Sequence, residues 1–156
     1  MTIHVLTLTW QGLDKLQKVY DGLDHCITGH SVIWHIRDNG SIDGTVEWLK
    51  NREEFNFLEG KYNNLTIDPM FVSHNRDNFA QGVNSLYEKA QPKMNDFVLL
   101  LNNDIVFGDT VSLKNMLQLM DNSKVGVVGA RLLYNNSNKL QHAGTIFSNK
   151  YSSKID

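Results

Sequence analysis

Polar residues suited to bind a sugar, a ribose or a hydrated divalent cation recur along the chain, each time directly after an apolar or β-branched run. Asp38 and Asn39 follow the run 31–37, Asn75-Arg76-Asp77 follows 65–73, and Asn102-Asn103-Asp104 follows 97–101, while Thr7, Thr9 and Trp10 close the first run. Carboxylates accept hydrogen bonds, amides and hydroxyls both donate and accept, and a carboxylate is a hard ligand for Mg²⁺ or Mn²⁺. Gathered on one edge, such groups form a concave polar site. The same residue types also serve turns and helix caps, and Asp43 or Thr45 is expected to cap a helix. Two nucleotide-binding motifs are missing. No Gly-x-x-x-x-Gly-Lys-Ser/Thr occurs, and Gly126-Val-Val-Gly129 lacks the spacing of the dinucleotide fingerprint.

The elements that would position these residues alternate strictly. A strand is predicted over 3–9, then a helix carrying Leu13, Leu16, Tyr20 and Leu23. A strand over 31–37 leads through a turn-rich segment to a short helix with Val46, Trp48 and Leu49. Asn39-Gly40 is also compatible with a hairpin, but the helix start that follows favours a strand-to-helix connection. A third strand spans 65–73, with Pro69 placing it at an edge or bulge. Phe79, Val83, Leu86, Tyr87 and Ala90 form one apolar helix face, and the uninterrupted apolar run 97–101 reads as a central parallel strand covered on both sides. A helix with Leu113, Met116, Leu117 and Met120, a strand over 125–133 and a last strand over 140–147 complete the pattern. The fold class is therefore α/β, a Rossmann-like open and mostly parallel sheet with helices on both faces. Ligands on such sheets sit beyond the C-terminal strand ends, where the polar clusters lie.

At 156 residues the chain is expected to be one domain able to bury a sufficient core without disulfides or structural metal. Fifteen basic against 17 acidic residues leave a net charge of −2, which provides no field to hold nucleic acid. The lone Cys26 excludes a cysteine-cluster metal site and fits a reducing compartment. With no long apolar run and no signal-peptide pattern, a soluble cytoplasmic chain without a transmembrane segment is expected.

Five blocks in order carry a resemblance: 4–10 (HVLTLTW), 37–45 (RDNGSIDGT), 78–84 (NFAQGVN), 99–104 (LLLNND) and 126–133 (GVVGARLL) running on to 140–144 (LQHAG). Together they resemble the GT-A type glycosyltransferases of family 2, over the front half of a typical member. The second and fourth blocks are the specific ones.

The resemblance implies an inverting, metal-assisted transfer from a nucleotide-sugar donor, a UDP-sugar by expectation, to an acceptor that is a glycan, a lipid or a protein. Thr7, Thr9, Trp10, Asp38 and Asn39 would contact the nucleoside. Arg76 would reach the base or diphosphate, although Arg76-Asp77-Asn78-Phe79 stands where the family has Asn-x-Gly-Phe, and Gly82 would allow close backbone approach to the nucleotide. Asn102 and Asn103 stand beside Asp104 in the place of the Asp-x-Asp motif. Asp104, with His142 as an additional ligand, would hold Mn²⁺ or Mg²⁺, and Asn102 in place of an aspartate implies modest metal affinity without nucleotide. The acidic segment that supplies the family's catalytic base has no counterpart here, and Asp109, Asp121 and Asp156 match no motif, so no base is assigned.

Three readings follow from the missing acceptor half: a fragment, a site completed by another subunit of a homo-oligomer, or a protein that binds or hydrolyses its donor. A non-catalytic nucleotide-sugar-binding module is the alternative of a different class. A receiver-like domain using Asp104 would need acidic residues near the first strand, and 7–11 contains none.

Overall fold

The computed structural model describes residues 1–27, 29–58, 64–73, 77–135 and 137–144, with the side chains of 53–58 excepted. It divides into two compact units, Met1–Thr110 and Val111–Asp156.

The first unit alternates strand and helix: β1 (Thr2–Thr9), α1 (Leu13–Cys26), β2 (Ser31–Asp38), α2 (Thr45–Leu58), β3 (Leu65–Phe71), α3 (Phe79–Ala90) and β4 (Phe97–Leu100). The strands form a wholly parallel sheet in the order β3-β2-β1-β4. β-Branched and aromatic residues line its interior strands, and Ile3, Val5, Trp34 and Ile36 are buried. β3 lies at an edge, where Pro69 removes no ladder bond that a further strand would need. The chain order runs from β1 outward to β3 and then returns to the far side of β1, which makes the gap between β1 and β4 the topological switch point.

Helices cover the two faces by separate devices. Trp34 faces α1 and α2: its ring stacks with Tyr20 at 6.5 Å, and Tyr20 meets Trp48 edge-on at 5.8 Å. The opposite face carries Leu8, Arg37 and Asp68, which α3 meets with Gly82, Ser85 and Lys89. At Gly82 a Cβ would stand 2.6 Å from Leu8 Cδ1, so the glycine sets how closely α3 lies on β1. Its N-terminus is held by a capping box in which Asn78 and Gln81 exchange side-chain and backbone bonds.

Three expectations need correction. The run at 97–101 forms an edge strand of the described sheet rather than a central one, and Val98 and Leu100 on its α3-side face are 38% and 57% exposed. An apolar run shows that a strand is hydrophobic without showing how many neighbours it has. On α3 only Gly82 and Leu86 are buried, while Phe79 and Tyr87 of the expected apolar face are exposed. The second helix is a full 14 residues rather than short.

The second unit contains α4 (Ser112–Met120) and a small antiparallel ribbon of β5 (Leu132–Leu133) and β6 (Leu140–His142). Of the strand expected over 125–133 only the last two residues pair, and the part of the last strand beyond residue 144 lies outside the described residues. Among the described residues no helix is long and apolar enough to cross a membrane.

Candidate functional site

The C-terminal edge of the parallel sheet gathers the ends of β1, β2 and β3 and the turn after β4. Parallel pairing places Thr9 beside Asp38 and Asp38 beside Phe71. Asp38 is only 1% exposed. Its Oδ1 accepts from the backbone N–H groups of Gly40 at 3.0 Å and Ser41 at 2.9 Å, an Asx turn that folds the chain back over the strand end. Its Oδ2 is buried and has no hydrogen-bond partner among the described residues. A buried, unpaired carboxylate oxygen is costly, about 1–3 kcal/mol or more for a charged group, and its chemistry fits one kind of partner, a donor.

Around Asp38 the other polar groups are occupied. The Asn39 N–H donates to the Thr9 carbonyl at 3.0 Å. The Asn39 amide accepts from Arg37 Nε at 3.2 Å and donates to the Asp77 carbonyl at 3.2 Å. The buried Arg37 guanidinium donates further to the Asp77 carboxylate and, at 2.6 Å, to the Ser85 hydroxyl. This ring ties the end of β2 to the start of α3. On the other side the Gln11 N–H donates to Ser41 Oγ at 2.8 Å and the Leu13 N–H to Asp43 Oδ2 at 3.0 Å, clasping the start of α1 to the same loop. Asp43 also accepts from the Thr45 hydroxyl and N–H. Burial pushes the Asp43 carboxyl up, but the Thr45 hydroxyl and the N–H groups of Leu13 and Thr45 outweigh it and hold the group below the ordinary carboxylate value.

At the switch point, Asn103 Nδ2 donates to Thr9 Oγ1 at 3.1 Å and links the loops that leave β1 and β4. A Cβ on Gly12 would stand 3.0 Å from Asn103 Nδ2, so that position must be small for the link to form. Asn102 and Asp104 beside it are exposed, as is Trp10. An exposed carboxylate with a neighbouring amide fits a hard divalent cation in the way Mg²⁺ is usually held, by one or two carboxylates, water and substrate phosphate.

The expected site residues thus separate. Thr9, Trp10, Asp38, Asn39 and Asn102–Asp104 come to one sheet edge. Thr7 does not offer its side chain to a ligand: it is fully buried and its hydroxyl accepts from the Trp34 indole at 2.8 Å. The largely buried Asn39 side chain is held by one accepted and one donated bond within the chain, which fixes its orientation at the site. Gly82 packs against Leu8, where a Cβ would meet that side chain. Arg76 lies outside the described residues. His142 is exposed in β6, in the second unit, whereas Asp104 belongs to the first. Among the described residues no group of three or more His, Cys, Asp or Glu side chains is arranged to hold a metal ion.

Sequence reasoning missed the Arg37–Asp77–Ser85 ring. Its signal was present, a cation inside an otherwise apolar strand, next to the residue expected to bind.

A search of solved structures then shows what the arrangement of strands is. The chain superposes on the mannosyltransferase PcManGT from Pyrobaculum calidifontis, solved with GDP-Man and Mn²⁺, with a TM-score of 0.64 and 16% identity over 80% of this chain. The likeness is one of fold. The chain also matches residues 1–349 of TarS from S. aureus, with a TM-score of 0.60 and 16% identity over 78% of this chain. The chain spans about a third of each structure it matches, 33% and 32% respectively. No family model matches the sequence, and no curated protein matches it significantly.

Proposed function

We propose that this chain binds a nucleoside diphosphate sugar at the C-terminal edge of the β3-β2-β1-β4 sheet and takes part in an inverting transfer of that sugar, as in family 2 of the GT-A type enzymes. The observation that carries the reading is the buried, unpartnered Oδ2 of Asp38 at the ligand-binding edge of a glycosyltransferase fold. Uracil N3–H and the guanine N1–H and amino group are donors that such an oxygen accepts. A bond of this charge-assisted kind contributes about 1.5–3 kcal/mol. The oxygen is closed to solvent, so the side chains above it must move aside to admit a base.

With the base at Asp38, the diphosphate extends toward the switch point, where Thr9 and Asn103 hold the two diverging loops together. Asp104, assisted by the Asn102 amide, would hold Mn²⁺ or Mg²⁺ there, and such a cation when bound neutralises charge on the departing diphosphate. The neighbour solved with GDP-Man and Mn²⁺ supports both the donor class and the ion. In an inverting displacement an acceptor hydroxyl attacks the anomeric carbon while a base takes its proton; no residue of this chain is assigned that role.

The test is a thermal-shift and turnover assay of the chain with UDP-, GDP- and other nucleotide-sugars, with and without Mn²⁺. Stabilisation of several degrees at a hundredfold excess over Kd, larger with Mn²⁺, together with release of nucleoside diphosphate, is the expected result. Binding without release would make the chain a donor-binding module. No shift with any nucleotide would overturn the reading.

A further inference from the structure

A second polar assembly lies under α3, away from the strand ends. His4 of β1 and His35 of β2 are both buried, their rings stacked 10° from parallel with centroids 5.2 Å apart. His4 Nδ1 and His35 Nε2 approach to 3.0 Å. The outer nitrogen of each ring faces a carboxylate. His35 Nδ1 lies 2.7 Å from Asp68 Oδ2 on β3, and His4 Nε2 lies 3.5 Å from Asp96 Oδ2 in the turn before β4. Lys89 of α3 closes one end on Asp68 Oδ1 at 2.6 Å. At the other end Asp96 accepts from the Thr2 N–H at 2.7 Å and the Lys93 N–H at 3.0 Å. The remaining nearby cation, Arg37, is committed to Asp77, Asn39 and Ser85.

Both carboxylates are ionised at neutral pH. Burial pushes Asp68 up, but the hydrogen bonds and charges of His35 and Lys89 outweigh it, and the Thr2 and Lys93 N–H groups with His4 hold Asp96 low. An ionised carboxylate only accepts. The Asp68 contact therefore needs a hydrogen on His35 Nδ1, and the Asp96 contact needs one on His4 Nε2, since a bare nitrogen would aim its lone pair at a carboxylate. The central contact needs one more, on either of its nitrogens. Three contacts require three ring hydrogens, whereas two neutral imidazoles carry two. Four would put two N–H groups head to head at 3.0 Å.

We propose that the His4–His35 pair binds one extra proton, shared across the central contact, and that this proton braces β1, β2, β3 and the turn before β4 together. The proposal is independent of the nucleotide reading.

The direct experiment is ¹⁵N NMR of the full chain with labelled histidine near neutral pH, each ring assigned through correlations to its own backbone. Three of the four ring nitrogens of His4 and His35 are expected to be protonated; two or four would overturn the proposal.

Discussion

The sheet edge and the histidine assembly are built from similar materials, carboxylates joined to nitrogen donors across neighbouring strands, yet they end differently. Beneath α3 each carboxylate oxygen of Asp68 and Asp96 has a partner from the chain itself. At the edge, Arg37, Asn39, Asp77 and Ser41 also have partners, but Asp38 retains one buried oxygen that no described group satisfies. A saturated network holds strands together. One that stops a donor short leaves room for a donor from a ligand, and the proposed site rests on that difference.

The largest expected effect is from opening the saturated part of the edge. Arg37→Met would leave the Asp77 carboxylate and the Ser85 and Asn39 side chains without their shared cation, and should lower stability by about 3 kcal/mol in urea unfolding. An unchanged midpoint would show that the ring is incidental. Asp38→Ala removes the unsatisfied oxygen along with the turn bonds, and nucleotide affinity should drop roughly ten- to hundredfold by calorimetry, with or without Mn²⁺. Asp104→Asn should leave stability within about 0.5 kcal/mol, since the residue is exposed, and abolish only the gain in affinity on adding Mn²⁺. If the two aspartate variants behaved alike, the division between a nucleoside end and a metal end would be wrong.

The smallest effect is in acid. Asp68 is held below its ordinary value in the folded chain, so its contribution is present above the unfolded value of about 3.9 and is lost as pH falls through the folded one. Asp68→Asn should flatten the acid limb of the unfolding profile below about pH 4.

Much of this architecture was legible from residues. The β-branched runs located β1 and β2, Pro69 pointed to an edge or a bulge and β3 is at an edge, and the polar residues after each strand pointed to one side of the sheet. What sequence could not show was partnership. The segment from Val125 to Arg131 was expected to be strand, but a ladder needs a neighbour, and pairing begins only at Leu132. Gly82 reads the same whether it makes room for a ligand or for Leu8. His4 is paired in register with Ile33, so its contact with His35 is a diagonal one that appears only once the strands are aligned. Thr7 and Asn39 carry the groups expected of ligand contacts, and only the structure reveals that both are buried and bonded within the chain.

If Asp38 Oδ2 awaits a donor from a nucleotide base, calorimetry of UDP against N3-methyl-UDP on the unmodified chain with Mn²⁺ exposes it. The two ligands share ribose, diphosphate and ring and differ at one atom of the base edge, where uracil presents N3–H and the methylated base presents no donor. UDP should bind at least about tenfold more tightly, the equivalent of one charge-assisted hydrogen bond. Equal affinities, or no binding of UDP and GDP alike, would contradict it.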